Sequence, residues 1–122
     1  MEWIFDGDRP IWLQIVERLK QRIATGAYPP GDRLPTVRDL SCEAGVNPNT
    51  MQRALAQLET DGLAVASRTA GRHVTGDGAA INALRQRLAG NEIEEFLKNM
   101  EALGYSAGEA ADLLKERKGK EG

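Results

Sequence analysis

The stretch from Leu34 to Leu63, LPTVRDLSCEAGVNPNTMQRALAQLETDGL, constrains the fold more than any other, because it holds two helix starts only a few residues apart. Thr36 with Asp39 three residues on makes a capping box, in which each side chain satisfies an otherwise orphaned backbone N–H. Pro35 closes off the chain before it. Val37 and Leu40, with Cys42 as a further candidate, supply the apolar side of this first helix until Gly45, which suits the left-handed position after a helix. Asn47 then caps a second helix, with Pro48 at the first helical position, where its missing N–H costs nothing. Met51, Ala54, Leu55 and Leu58 recur at spacings of three and four and form the buried stripe. A tight turn between two such helices is how a chain presents a helix to a DNA groove.

Asn49, Gln52, Arg53 and Ala56 lie on the opposite side of the second helix at the same spacing. Major-groove readout needs such a set: Asn and Gln can bond an adenine edge bidentately, Arg a guanine, and Ala leaves room for a thymine methyl. The competing reading is a solvated helix face, for which any polar residues would serve. A protein-binding face would instead carry aromatic or Leu anchors. The capped helix before it and the segment after it favour DNA.

Asp61 and Gly62 end the second helix, and two short runs follow, Leu63 to Ser67 and Arg72 to Thr75, on either side of a turn at Thr69 to Gly71. They read as a β-hairpin, a wing. Arg68, Arg72 and His73 near its tip could reach phosphates or a minor groove. For His73 a half-packed strand position is an equal alternative. A metal site is not expected, since His73 is the only histidine and Cys42 the only cysteine.

With the wing in place the chain resembles the GntR superfamily of transcription regulators, and within it the short YtrA-like subfamily. Pro10-Ile11-Trp12-Leu13-Gln14-Ile15 resembles the opening P-I-Y-x-Q-I. Gly26, Pro30, Gly31, Leu34, Pro35, Thr36, Arg38 and Leu40 fit the signature G-x-x-x-P-G-x-x-L-P-[ST]-x-R-x-L. Gly45 to Thr50 is the G-V-N-P-N-T turn of the short members, and Leu55, Leu58, Glu59, Gly62 and Leu63 complete L-x-x-L-E-x-x-G-L. The resemblance implies a mainly α fold with a small β-hairpin, a winged helix-turn-helix domain followed by a C-terminal helical dimerisation hairpin. Together with the outward face of the second helix it marks Thr36, Arg38, Asn47, Asn49, Thr50, Gln52, Arg53, Arg68, Gly71 and Arg72 as DNA-binding. The departure is in the wing. Where the family carries R-x-G-x-G-T-F-V, this chain has Arg68-Thr69-Ala70-Gly71-Arg72-His73-Val74, and Arg72 is expected to compensate by adding a charge.

Before this motif, Pro10 to Thr25 reads as an amphipathic helix whose apolar side is Ile11, Ile15, Leu19 and Ile23, helped by Leu13, Val16 and Trp12. Tyr28-Pro29-Pro30-Gly31 is a stiff loop. After it, Ile81, Leu84, Leu88, Ile93, Phe96, Leu97, Met100 and Leu103 keep a drifting helical spacing, so one long helix is expected over 79–103, with Gly90 as a possible kink. Ser106 with Glu109 makes another capping box and opens a short helix with Ala110, Leu113 and Leu114 on its apolar side. The run from Lys115 to Gly122 reads as a charged, frayed end. The expected division is 1–76 for the winged domain and 77–122 for the helical region.

Two helices cannot bury both apolar stripes by themselves, which implies a second copy: a homodimer through residues 77–122 that sets two winged domains on neighbouring half-sites of a palindromic operator. The resemblance implies the same dimer, a repressor role and the absence of a large effector domain. It names no small-molecule effector.

The chain has 122 residues, enough for one compact domain and an appendage. A single cysteine suits a reducing cytoplasm, and no run approaches the length of a signal peptide or membrane span. No cofactor is expected. Enzyme chemistry finds no support, for there is no Gly-rich phosphate loop and no nucleophile to pair with the single histidine. A regulator truncated before a sensor domain is disfavoured by the capped final helix. The net charge of −2 argues against nucleic acid, because binding draws on counterion release by Lys and Arg. Only a favourable distribution of charge could outrank that sum.

Overall fold

Pro10 precedes the first helix and offers no capping side chain. Gln14, one turn into the helix, is buried and serves the preceding segment instead. Its side chain accepts from the Asp6 N–H at 2.7 Å and donates to the Asp6 and Arg9 carbonyls at 2.9 and 3.0 Å, strapping the N-terminal segment onto the helix. A computed structural model describes the chain from residue 3 to residue 121. Its elements are α1 (Ile11–Ala24), α2 (Val37–Ala44), α3 (Pro48–Thr60), β1 (Ala64–Ser67), β2 (Gly71–Val74), α4 (Gly78–Ala102) and α5 (Ala107–Glu121).

The expected caps form. Thr36 accepts from the Asp39 N–H at 3.1 Å, the Thr36 half of the box, and Asn47 accepts from the Asn49 N–H at 2.7 Å. After α3 the chain reverses through Gly62 at φ +74°, where the Leu63 N–H reaches back to the Leu58 carbonyl at 2.9 Å. That backbone is open to glycine and strained for other residues. It delivers Leu63 to the core and starts β1.

Ile15, Leu19 and Ile23 from α1, Leu40 from α2, Met51, Leu55 and Leu58 from α3, and Leu34, Leu63 and Val74 beside the wing form the core. Three residues expected there lie outside it. Ile11 and Leu13 are each 40% exposed, because the buried stripe of α1 centres on Ile15, Val16, Leu19 and Ile23, and Leu13 stands some 200° of helical turn from Ile15. Cys42 is exposed, and the neighbouring Ser41 is buried instead, donating to the Val37 carbonyl at 2.6 Å.

β1 and β2 pair antiparallel, Ala64 opposite Val74 and Ser67 opposite Gly71. The hairpin is therefore present, with β2 starting one residue earlier than expected. β2 also has a partner on its other side. Leu34 N–H donates to the Arg72 carbonyl at 2.8 Å, Val74 N–H to the Asp32 carbonyl at 2.9 Å, and Arg33 bridges His73. The segment after the Pro29-Pro30 loop thus fastens the wing to the start of α2.

A buried cation ties the opposite end of the domain together. Arg22 is 8% exposed and donates to Glu43 at 2.7 Å and to the Tyr28 hydroxyl at 2.5 Å, with its guanidinium 4.8 Å from the Trp3 ring centre. Trp3 Nε1 donates to the same Glu43 oxygen at 3.1 Å. The hydrogen bond from Arg22 is the main reason the Glu43 carboxyl sits below the usual carboxylate range. A depressed carboxylate contributes stability that is present above its unfolded-state value and lost as pH falls through its folded value. Glu43→Gln should therefore lower the melting temperature at neutral pH and flatten its decline on the acid side, as followed by thermal unfolding between pH 7 and pH 3. Parallel acid limbs for the two proteins would remove Glu43 from that role.

α4 runs without interruption through Gly90, close to the expected span. Asp77 caps it by accepting from the Ala79 and Ala80 N–H groups at 3.0 and 3.4 Å. Its exit is a paired closure, Gly104 N–H to the Glu101 carbonyl at 2.9 Å and Tyr105 N–H to the Met100 carbonyl at 3.0 Å. The Ser106–Glu109 box forms in both directions at 3.0 and 3.1 Å. α5 continues to Glu121, so the Lys115 run expected as a frayed end is helical, in keeping with the helix preference of Lys, Glu and Arg.

The chain divides into two compact units between Arg85 and Gln86. The first takes in the opening turns of α4, whose Ile81 and Leu84 are buried. In the second, Ala110 is buried while Ile93, Leu103 and Leu114 are 57%, 73% and 54% exposed. Phe96, Leu97 and Met100 are half-buried on the same stripe as Ile93.

Candidate nucleic-acid interface

Because the apolar stripe of α3 is buried, its other side faces outward. Asn49, Gln52, Arg53 and Ala56 are all exposed, as the spacing predicts. Thr50 is half-buried behind them. The Asn47 side-chain oxygen is committed to the cap, leaving its NH2 group to donate. Thr36 is in the same position, its oxygen accepting within the fold and its hydroxyl hydrogen free for a phosphate. Arg38 stands exposed in the first turn of α2, beside a shallow apolar hollow that it lines with Val46 and Pro48 at the head of α3. The loop geometry therefore brings the start of α2 and the start of α3 together.

On the wing, Arg68 is exposed at the tip. Gly71 opens β2 at φ +76°, and a Cβ added there would meet the Arg33 guanidinium at 3.2 Å. Arg72, expected to lend the wing a charge, is tied to Glu59 of α3 by a 2.5 Å ion pair. That bond braces the wing against α3 and takes up the Arg72 Nε. Arg33 stands exposed beside Gly71 in its place. Motif reading missed Arg33 because its place comes from the bridge to His73, and no local spacing records that pairing. His73 itself is half-buried in the strand.

Pairing of charges resolves the apparent neutrality. Arg9 bonds Asp6 and Glu17, Lys20 bonds Asp61, Arg22 bonds Glu43 and Arg72 bonds Glu59. Among the described residues, Arg33, Arg38, Arg53 and Arg68 on α2, α3, the wing or the segment bound to it make no ion pair; Arg18 of α1 and Arg85, Arg87 and Lys98 of α4 make none either, and Asp32 and Asp39 are unpaired acids beside Arg33 and Arg38. Cations without a protein carboxylate can release counterions from a phosphate backbone.

Residues 12–74 match the family described as bacterial regulatory proteins, gntR family. The chain belongs to the GntR family. It is 31% identical over 107 residues to the HTH-type transcriptional repressor YtrA of Bacillus subtilis (strain 168), covering 88% of this chain and 80% of that protein. Its fold is similar to that of a GntR family transcriptional regulator from Listeria monocytogenes, with a TM-score of 0.83, 36% identity and coverage of 92% and 98% of the two chains. It is also similar to AraR(DBD) in complex with operator ORX1, with a TM-score of 0.57, 26% identity and coverage of 62% and 96%. As a GntR protein it is a DNA-binding transcriptional regulator with a winged helix-turn-helix, and its relatives are regulators rather than enzymes. Among the described residues no cluster of His, Cys, Asp and Glu could hold a metal ion, and no helix is long and apolar enough to cross a membrane.

Proposed function

We propose that this GntR protein is a cytoplasmic repressor that binds a palindromic operator as a homodimer, reading bases with the outward face of α3. The four arginines without ion pairs on the recognition elements carry this reading. In it, residues 1–76 bind DNA and residues 77–122 join the two copies. Asn49, Gln52 and Arg53 face base edges, while Thr36, Arg38, Asn47 and Thr50 position the backbone. Arg68, with the Gly71 turn and Arg33, meets the flanking phosphates or minor groove. Arg72 acts through Glu59 to set the angle of the wing. The repressor role follows the YtrA relative, and the exposed apolar stripe of the second unit supports the dimer.

Two variants separate positioning from reading. Arg38→Ala should weaken binding to all duplexes alike and reduce the slope of log affinity against log salt by about one. Gln52→Ala should cost roughly 1–3 kcal/mol at the preferred operator and relax preference at one position per half-site. Both are measured on an operator selected from random duplexes and on its single-base variants. A uniform loss for Gln52→Ala would make it a backbone contact and pass base reading to Arg53, while an unchanged salt slope for Arg38→Ala would give that arginine a structural role.

A further inference from the structure

The Arg53 guanidinium lies 4.0 Å from the centre of the Trp12 ring. Like Arg33, Arg38 and Arg68 it makes no ion pair, and it makes no hydrogen bond among the described residues. Its one partner is thus the π-face of an aromatic ring. Trp12 is in the first turn of α1 and half-buried, with exposed Ile11 and Leu13 on either side. Arg53 is one turn beyond Asn49 and next to Gln52 on the outward face of α3.

Stacking on a ring uses the face of the guanidinium and leaves its edge alone. The five N–H donors lie in the plane, where they match a pair of acceptor oxygens or a guanine O6/N7 edge. An exposed arginine samples many rotamers, and holding it against a ring removes part of that freedom before DNA arrives. The packing of α1 on α3 already rests on the buried stripes of both helices, so a half-exposed ring is a poor candidate for holding the helices together.

We propose that Trp12 is a positioning residue for DNA recognition, holding the Arg53 guanidinium flat and presenting its N–H edge to a planar pair of acceptors on the operator. This rests on the reading of α3 as the recognition helix. Trp12 touches no base; it acts through Arg53.

The test is a double-mutant cycle in the full chain, with Trp12→Leu, Arg53→Ala and both together, measured by affinity for the operator duplex selected by the wild-type protein. Trp12→Leu should weaken binding by about 2- to 5-fold, the size of an exposed cation–π contact. It should add less than about 2-fold once Arg53 is Ala. Trp12→Tyr keeps a ring face and should restore most of the affinity, and the melting temperature should stay near wild type in each variant. A loss spread over all single-base variants, with a flatter salt slope, identifies a phosphate as the acceptor; a loss confined to one G·C pair identifies a guanine.

Additive losses in the cycle would overturn the proposal, as would a Trp12→Leu chain that melts well below wild type, which assigns the ring to the fold. If Arg53→Ala binds normally while Gln52→Ala does not, the proposal falls and α3 remains the recognition helix. If neither substitution changes binding, both fall.

Discussion

Replacing Ile93 with Glu should convert the proposed dimer into a monomer and lower operator affinity by about 10²- to 10⁴-fold, the range by which joining two binding modules exceeds one. Ile93 is 57% exposed in the protomer, so the new carboxylate disturbs little within a single chain. Covered by a second copy, the same group would lose its water and meet apolar side chains, a costly exchange. Phe96, Leu97, Met100 and Leu103 continue that stripe along α4. Light scattering at micromolar concentration reads the mass, and a titration of operator duplex reads the affinity. A dimer that survives Ile93→Glu would move the interface elsewhere. Truncation is a blunter test than it looks from sequence. Cutting at Asp77 would strip buried Ile81 and Leu84 from the first unit, whereas a cut after Arg85 keeps both.

Leu55→Ala should cost about 2–5 kcal/mol of unfolding free energy through lost burial and the cavity left behind. Leu55 is fully buried on the inner side of α3, opposite the residues proposed to read bases. For a unit of this size, such a loss lowers the melting temperature by about 10 °C or more. Saturating operator DNA should return part of it, because a ligand at 100 times its dissociation constant contributes roughly 2.7 kcal/mol to the folded state. Thermal unfolding with and without duplex checks both statements. Cys42→Ala, on the exposed side of α2, serves as the control and should change stability by less than about 0.5 kcal/mol. A Leu55→Ala chain that melts with wild type would mean that α3 is not anchored as its burial indicates.

Local chemistry made most of the fold legible. Stripes at three and four residues gave α1, α3 and α4, and Thr36, Asn47 and Ser106 each cap a helix within three residues of themselves; Asp77 caps α4 by the same local chemistry, although the sequence reading did not mark it. Such features need only neighbours in the chain. The misplacements of Ile11, Leu13 and Cys42 show the limit of a stripe: periodicity says which residues share a side, and packing decides how far along that side the cover extends. Lys115 to Glu121 shows another, since a charged run reads as frayed although its residues favour helix.

The candidate site divides along the same line. Exposure of Asn49, Gln52 and Arg53 follows from the helical period of α3 and was visible in the sequence. The stacking of Arg53 on Trp12, the bonding of Arg72 to Glu59 and the approach of Arg33 to Gly71 join residues far apart in the chain, and no spacing announces them. By itself the sequence determined the helix order, the caps, the family motif and the face of α3 that looks outward, because each depends on contacts within a few residues. Only the tertiary structure decided which charges cancel. Coulomb attraction depends on distance in space, so a chain with a net charge of −2 can neutralise Arg9, Lys20, Arg22 and Arg72 within the fold and leave Arg33, Arg38, Arg53 and Arg68 without carboxylate partners on the elements proposed to meet DNA.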